Sequence, residues 1–377
     1  MKTNLLLAAF IAAFPLRTVA AETTAPTRPA AKKPQIEVCF VVDTTGSMGG
    51  LIEGAKQKIW SIANEVIAAK PTPSVKFALI GYRDRGDEYV TRLTPLTDDI
   101  DAVYADLRKF QAAGGGDLPE SVSQALDEAV RKITWSSDRS VLKIIYLVGD
   151  APPHTDYADG PDYRAVCAEA AKRDLIINTV QCGSMPGTRD YWTEIARRSE
   201  GQYVALAQSG NMIAIASPYD KPLAELNAEI GKTIVAYGSP AAQAAVRAKQ
   251  EVMELSSFSV AADRLAYNAK SGGKVVQGSG ELLDAMKEGK VGFDDIKREQ
   301  LPKEMQTLKD AELRAQLDEK SAKRAELQAR ISELGQKREA FIAAEQKRLA
   351  VAGKGDAFDS KVAEILREQA KKKGISY

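Results

Sequence analysis

Residues 35–50 read QIEVCFVVDTTGSMGG. Ile36 to Val42 is a short, nearly continuous apolar run rich in β-branched residues, the composition of a strand buried on both faces of a sheet. Behind it, Leu51, Ile52, Ala55, Ile59, Ile62, Ala63 and Val66 recur at three- and four-residue spacing up to Ala69, which predicts a helix that Lys70, Pro71 and Pro73 stop. A buried strand followed at once by an amphipathic helix is the opening of a crossover connection.

The alternation continues outward. Val75–Tyr82 and Tyr89–Leu93 predict two strands joined by a charged turn containing Gly86, and Asp99–Phe110 a helix. Pro119 stands at a first-turn position ahead of the stripe Val122, Ala125, Leu126, Ala129, Val130 and Ile133. Val141–Val148 is the second strongly apolar strand. Tyr163–Arg173 predicts helix, Leu175–Val180 strand, Tyr191–Ser199 helix, Tyr203–Leu206 strand and Pro222–Tyr237 a last helix. The fold class is therefore α/β, a doubly wound, mostly parallel six-stranded sheet with helices on both faces, over residues 35–237.

In such sheets ligands bind beyond the carboxyl ends of the strands. The first strand ends in Asp43, Thr44, Thr45, Gly46, Ser47, and the Val141 strand in Gly149, Asp150, Ala151, Pro152, Pro153, His154. Asp117 follows Gly114 to Gly116 and precedes the helix opened by Pro119. Three carboxylates and two hydroxyls at one sheet edge form an all-oxygen set suited to a hard divalent cation, Mg2+ first, with Mn2+ or Ca2+ compatible. A single histidine, His154, excludes metal sites built on several imidazoles, and three cysteines are too few for a four-thiolate site. Following two prolines, His154 reads as a loop residue.

Asp43, Thr45 and Ser47 in VVDTTGSM, Asp117 in GGGDLPES and Asp150 in YLVGDAPPH resemble the metal-ion-dependent adhesion site of von Willebrand factor type A (VWA) domains. The resemblance implies that Thr45 and Ser47 ligate the metal directly, that Asp43 and Asp150 hold coordinated waters, and that an open coordination position takes a carboxylate from a partner protein. Asp117 stands where adhesion-type members carry threonine. The added negative charge should weaken the attraction of the ion for an acidic partner. A rival reading takes VVDTTGS as the nucleophile loop of a haloacid-dehalogenase-like Mg-dependent phosphatase, with Asp43 accepting the phosphoryl group and Asp150 binding Mg2+. Asp156 falls later than that chemistry expects, and no lysine stands in a suitable loop.

Arg85, Gly86 and Asp87 spell a tripeptide read by some adhesion receptors, but a charged hairpin turn accounts for them. Cys39 and Cys167 read as buried small hydrophobes, with Cys182 at a strand end.

At the start of the chain, Lys2 precedes an apolar stretch from Leu5 to Phe14, about half of the ~20 residues that a membrane span requires. Pro15, Arg17 and the small residues Val19, Ala20 and Ala21 complete a signal-peptide pattern, so residues 1–21 are expected to be a cleaved leader and the product exported, periplasmic or secreted. Residues 22–34, rich in Ala, Thr and Pro, read as a flexible linker. No later run is apolar enough to span a membrane. Lys plus Arg (52) against Asp plus Glu (51) give a formal net charge of +1, so no global basic field draws the chain to nucleic acid.

Residues 238–377 change character. Ala241–Ala269 has helical spacing, Ser271–Gly280 is glycine-punctuated, and Gln306–Leu349 is dense in Ala, Glu, Lys, Arg, Gln and Leu. Leu327, Ile331, Leu334 and Phe341 keep coiled-coil spacing, yet Arg338 and Glu345 occupy other seam positions. A charged helical extension folded as a hairpin or short bundle is expected, ending in a basic tail at Lys371 to Lys373. The combined expectation is an exported, non-catalytic protein-binding module with a divalent-cation site.

Overall fold

The computed structural model describes residues 33–116, 118–210, 212–353 and 357–377. The expected leader (1–21), most of the linker (22–34) and Asp117 lie outside the described residues. The α/β part runs β1 (Gln35–Asp43), α1 (Gly49–Val66), β2 (Ser74–Tyr82), β3 (Thr91–Thr97), α2 (Ile100–Leu107), α3 (Val122–Arg131), β4 (Leu142–Gly149), α4 (Tyr163–Lys172), β5 (Ile176–Cys182), α5 (Thr188–Arg198) and β6 (Tyr203–Leu206). These six strands form one sheet in the order β3-β2-β1-β4-β5-β6, parallel except for β3, which runs antiparallel to β2. The expected class is borne out.

The two-residue period of a strand splits β1 between two cores. Ile36, Val38, Phe40 and Val42 face a cluster with Leu51, Ile59, Trp60 and Ile62 of α1, whereas Cys39 and Val41 face Val122, Ala125 and Leu126 of α3. Both faces are dry, which is why β1 and β4 read as continuous apolar runs rather than alternating ones. Cys39, Cys167 and Cys182 are free and buried, and burial pushes the Cys167 and Cys182 thiols up to about 12.

Several boundaries differ from the periodicity. β3 starts at Thr91 because Tyr89 serves the preceding loop: its ring lies under the Arg83 and Arg92 guanidiniums, and its hydroxyl is 2.7 Å from that of Thr44. The helix expected over Pro222–Tyr237 is α6 (Asp220–Gly231), after which the backbone extends to pair Val235 and Tyr237 with Leu282 and Gly280. Ala241–Ala269 is two helices, α7 (Pro240–Glu254) and α8 (Phe258–Lys270), separated by an extended Ser257.

After α9 (Leu282–Lys287) and the short α10 (Lys303–Gln306), the 42-residue α11 (Asp310–Val351) packs Leu327 and Ile331 against Leu223, Leu226 and Ile230 of α6 and Leu265 of α8. The residue that breaks the heptad explains why α11 is no coiled-coil rod. Arg338 is buried, donating to Asp220 and Asp263 at 2.6 Å each, so it fastens α11 to α6 and α8. Arg324, about four turns earlier on the same face, holds Glu281 and Asp284, and Arg264 of α8 grips Asp101 of α2 through Nε and Nη2. Such buried pairs act mainly as registration, since each lone partner would be a stranded charge.

The chain then returns. α12 (Ala357–Lys372) lays Phe358, Val362, Ile365, Leu366 and Ala370 into the α1-side core with Tyr146, Val180 and Cys182. Gln369 and Asn178 exchange two amide hydrogen bonds, Asp359 meets Lys58 at 2.5 Å, and Ser376 bridges Lys70. Residues on both sides of position 237 thus build one sheet face, and Lys33–Tyr377 pack as a single compact unit. No helix among the described residues is long and apolar enough to cross a membrane.

Candidate metal centre

β1 and β4 are neighbours in register, Ile36 opposite Leu142 through Val42 opposite Val148, so their carboxyl ends lie side by side. The chain leaves β1 toward β2 on one flank and enters β4 on the other, making this the switch point of the sheet. Asp43 and Asp150 sit there, 0% and 2% exposed. Gly149 permits the approach: a Cβ at that position would lie 2.9 Å from that of Asp43 and would also strike the Tyr82 hydroxyl.

The first loop is wound around Asp43. Its Oδ1 accepts from the Thr45 N–H at 2.8 Å and the Thr45 hydroxyl at 2.6 Å, and the Thr45 hydroxyl lies 3.3 Å from that of Ser47. Thr44 turns away, donating to the Tyr82 carbonyl. Asp43 Oδ2 is buried with no partner. Asp150 Oδ2 accepts from the Gln208 amide at 2.6 Å. The glycine loop is held against the first loop by Gly46 N–H to the Gly114 carbonyl and Ala113 N–H to the Thr44 carbonyl. Gly114 has φ +78°, and a side chain there would collide with the Asp87 carboxylate. Asp117, which this loop carries, lies outside the described residues.

Glu120 is an acid that the strand-end reading passed over. It is 3% exposed, its Oε2 is buried without a partner, and its backbone is tied to the loop after β4 through Pro152 and His154. Its signal was present in the sequence: it ends the GGGDLPE stretch, three residues beyond Asp117. Burial, and then the charges of Asp43, Asp84, Asp87 and Asp150, push its carboxyl up to about 9. Burial likewise holds Asp43 well above the usual carboxylate range against the Thr45 hydrogen bonds, while the Asp150 carboxylate adds to the rise and the Asp150 backbone N–H opposes it.

Asp84 and Asp87 serve the walls. Asp84 accepts from the Ser121 and Tyr157 hydroxyls, and Asp87 from the Asp84 and Gly115 N–H groups. Asp87 is therefore a turn acid, and Arg85 is engaged with Asp159 and the Tyr157 ring. His154 is a buried loop residue stacked on Tyr157, with Asp156 at 2.7 Å and Asp84 at 3.3 Å.

Among the described residues no three carboxylate, imidazole or thiolate groups already converge to metal-ligating spacing. The orphaned oxygens of Asp43 and Glu120 beside two hydroxyls nonetheless fit a hard divalent cation, which would satisfy the first two and relieve their repulsion. No lysine is hydrogen-bonded or ion-paired to Asp43 or Asp150 among the described residues, and the comparisons with known proteins match no phosphatase of that kind among the relatives named below. The phosphatase reading therefore has no support.

These shifts set a pH dependence. Unfolded, both carboxyls titrate near pH 4. Folded, they keep their protons to higher pH, so the stabilisation is full below about pH 4 and is lost as the pH rises toward the Glu120 value of about 9. Thermal melts in chelator should show the metal-free protein weakening over that interval, and Mg2+ should flatten the decline. A melting temperature that rises steadily with pH in chelator contradicts the buried-acid account.

Comparison with known proteins agrees with the architecture. A family model for the von Willebrand factor A domain matches residues 37–217. The human and rat von Willebrand factor A domain-containing protein 7 are 33% and 34% identical over 120 residues, covering 32% of this chain and 12% of each relative. A mimivirus ariadne-like RING finger protein is 27% identical over 119 residues, 11% of its length, so the chain spans only about a tenth of the curated relatives it matches. Among solved structures, proximal thread matrix protein 1 of the mussel byssus, with a zinc-occupied MIDAS motif, gives TM-score 0.37 at 15% identity over 47% of this chain and 42% of that one. The SpRpn10 VWA domain gives TM-score 0.36 at 12% identity over 48% of this chain and 98% of that one. The matched segment carries the six strands and the switch-point acids, and over residues 37–217 this chain is similar to von Willebrand factor A domains.

Proposed function

We propose that this chain is an exported, non-catalytic protein-binding module that engages its partner through a divalent cation of the metal-ion-dependent adhesion-site type. Mg2+ is the first candidate, with Mn2+ or Ca2+ compatible. The observation that carries the reading is the pair of buried, unpartnered oxygens, Asp43 Oδ2 and Glu120 Oε2, at the switch point of the sheet.

In this reading Thr45 and Ser47 offer hydroxyl ligands, Asp43 and Asp150 hold coordinated waters, and Asp117 completes the set, with Glu120 as an additional acid. The cation, when bound, supplies an electrophilic position for an oxygen of the partner. Asp43 Oδ1 keeps the Thr45 hydroxyl in place, and Gln208 orients Asp150. Four acids near one 2+ ion exceed its charge, so a partner carboxylate would be held less firmly than by a site with two. Tight binding would then need contacts around the ion, for which the exposed Leu118 beside the site is suited.

The test is capture of envelope proteins on the immobilised full chain. A partner retained in Mg2+, released by EDTA and missed by Asp43→Ala is the expected result. Equal capture in EDTA by wild type and variant would overturn the metal-dependent reading.

A further inference from the structure

The opposite edge of the sheet carries opposite charge. A cavity of about 300 Å³ opens there, lined by Ser136, Ser137, Arg139, Lys143, Lys172 and Arg173, with Trp135 at its side. Lys143 is the second residue of β4 and Gly149 its last, so six residues of strand, roughly 20 Å, separate this cavity from the candidate metal centre.

Lys143 is a buried cation whose nearest acids, Glu37 and Asp174, favour its charge from beyond ion-pair distance. It is 3% exposed, and its ammonium donates to the Ser136 carbonyl at 3.1 Å and the Arg173 carbonyl at 2.9 Å, two acceptors for three N–H groups. Among the described residues no carboxylate stands at ion-pair distance from it. The nearby acids are committed elsewhere. Glu37, its register partner on β1, accepts from the Ser136 N–H and Gln35, and Asp174 is taken by Lys373 at 2.6 Å. Asp138 accepts from the Ser140 N–H and hydroxyl. Burying an ammonium with two neutral acceptors is costly, and a ligand anion at the cavity would offset the cost. Desolvation accordingly lowers the pKa of Lys143.

Arg139 and Lys172 are exposed at the mouth, and neither makes an ion pair among the described residues. Lys373 donates to the Arg139 carbonyl, which brings the basic run Lys371 to Lys373 to the rim. That run has the look of a solvated tail in the sequence, yet the fold sets it beside four other cations.

We propose that this cavity binds a phosphate group, with Lys143 at its inner wall and Arg139 and Lys172 closing over it. A carboxylate could be satisfied by one guanidinium. Arg139, Lys143 and Lys172 lining one cavity with two serine hydroxyls suit an anion with more acceptor oxygens and up to two charges. The phosphate could belong to a soluble ester or to a lipid headgroup.

The experiment titrates the full chain with inorganic phosphate and with glycerol phosphate by calorimetry, and pellets it with phosphatidylglycerol–phosphatidylcholine vesicles against phosphatidylcholine alone. Wild type should bind inorganic phosphate saturably, and Arg139→Glu/Lys172→Glu should weaken binding at least roughly tenfold without changing the melting curve. Lys143→Met, if it folds, should do the same. Pelleting with anionic vesicles that inorganic phosphate competes away assigns the lipid source, whereas binding of the soluble phosphates without pelleting assigns the soluble one. No saturable phosphate binding by wild type, equal binding by the charge-reversed variant, or vesicle binding indifferent to phosphate overturns the proposal.

Discussion

Millimolar Mg2+ or Mn2+ should raise the melting temperature of the chelator-treated wild-type chain by roughly 5–10 °C, and Asp43→Ala should abolish the rise. A ligand bound only by the folded state at 100 times its Kd adds about 2.7 kcal/mol, and one kcal/mol is worth about 2–4 °C in a domain of this size. The direction follows from the site itself. Without a cation, Asp43 and Glu120 are buried acids with orphaned oxygens beside Asp150, so the edge of the sheet stores repulsion that a 2+ ion removes.

Asp43→Ala makes the test specific. It deletes the central acid and the acceptor for the Thr45 N–H and hydroxyl, so some stability is lost through the loop. It also removes one of the repelling charges, so the metal-free variant should melt within a few degrees of metal-free wild type. Only the metal response should vanish. A melting curve for wild type that does not move across millimolar Mg2+ and Mn2+ would sink the metal site, whatever the variant does.

The placement of Asp43 and Asp150 at the candidate centre was legible in sequence because strand ends are legible. The apolar runs Ile36–Val42 and Val141–Val148 identify the central strands by their composition, and the residues after them must then fall at one edge of a parallel sheet. Glu120 was less visible since it follows a loop rather than a strand. Nothing in its neighbours Pro119 and Ser121 shows that its backbone is pinned to the loop after β4. Arg338 was legible as a break in the heptad but not as an anchor, because periodicity marks a polar residue on an apolar stripe without identifying the acids opposite. Those acids, Asp220 and Asp263, lie on two other helices. Lys143 was hidden inside a strand pattern for the same reason, since the carbonyls that hold it come from two separate loops.

The largest loss should follow from ending the chain after Gly353. The spacing of Phe358, Val362, Ile365, Leu366 and Ala370 marks an apolar stripe, but a stripe does not say what it covers. It covers the α1 face of the six-stranded sheet, arriving there only after the whole helical region has been traversed. Phe358, Val362, Ile365, Leu366 and Ile375 are each at most 5% exposed. At about 1.5–3 kcal/mol for each buried side chain, their removal forfeits roughly 7–15 kcal/mol, as much as the entire stability of a typical domain, about 5–15 kcal/mol. The truncation would also leave Tyr146, Val180 and Cys182 facing water and strand the Asn178 amide and the Lys58 ammonium without their α12 partners. The truncated chain should therefore fail to melt cooperatively and should bind an apolar dye, and its metal response should go with it even though every candidate ligand is retained. Gln369→Ala grades the same contact, leaving one buried amide unsatisfied at a cost of about 1–3 kcal/mol while the helix stays docked. A chain ending at Gly353 that melts sharply within a few degrees of full length would mean that the sheet face closes without its last helix, and that α12 is an attachment rather than part of the domain that positions the candidate metal centre.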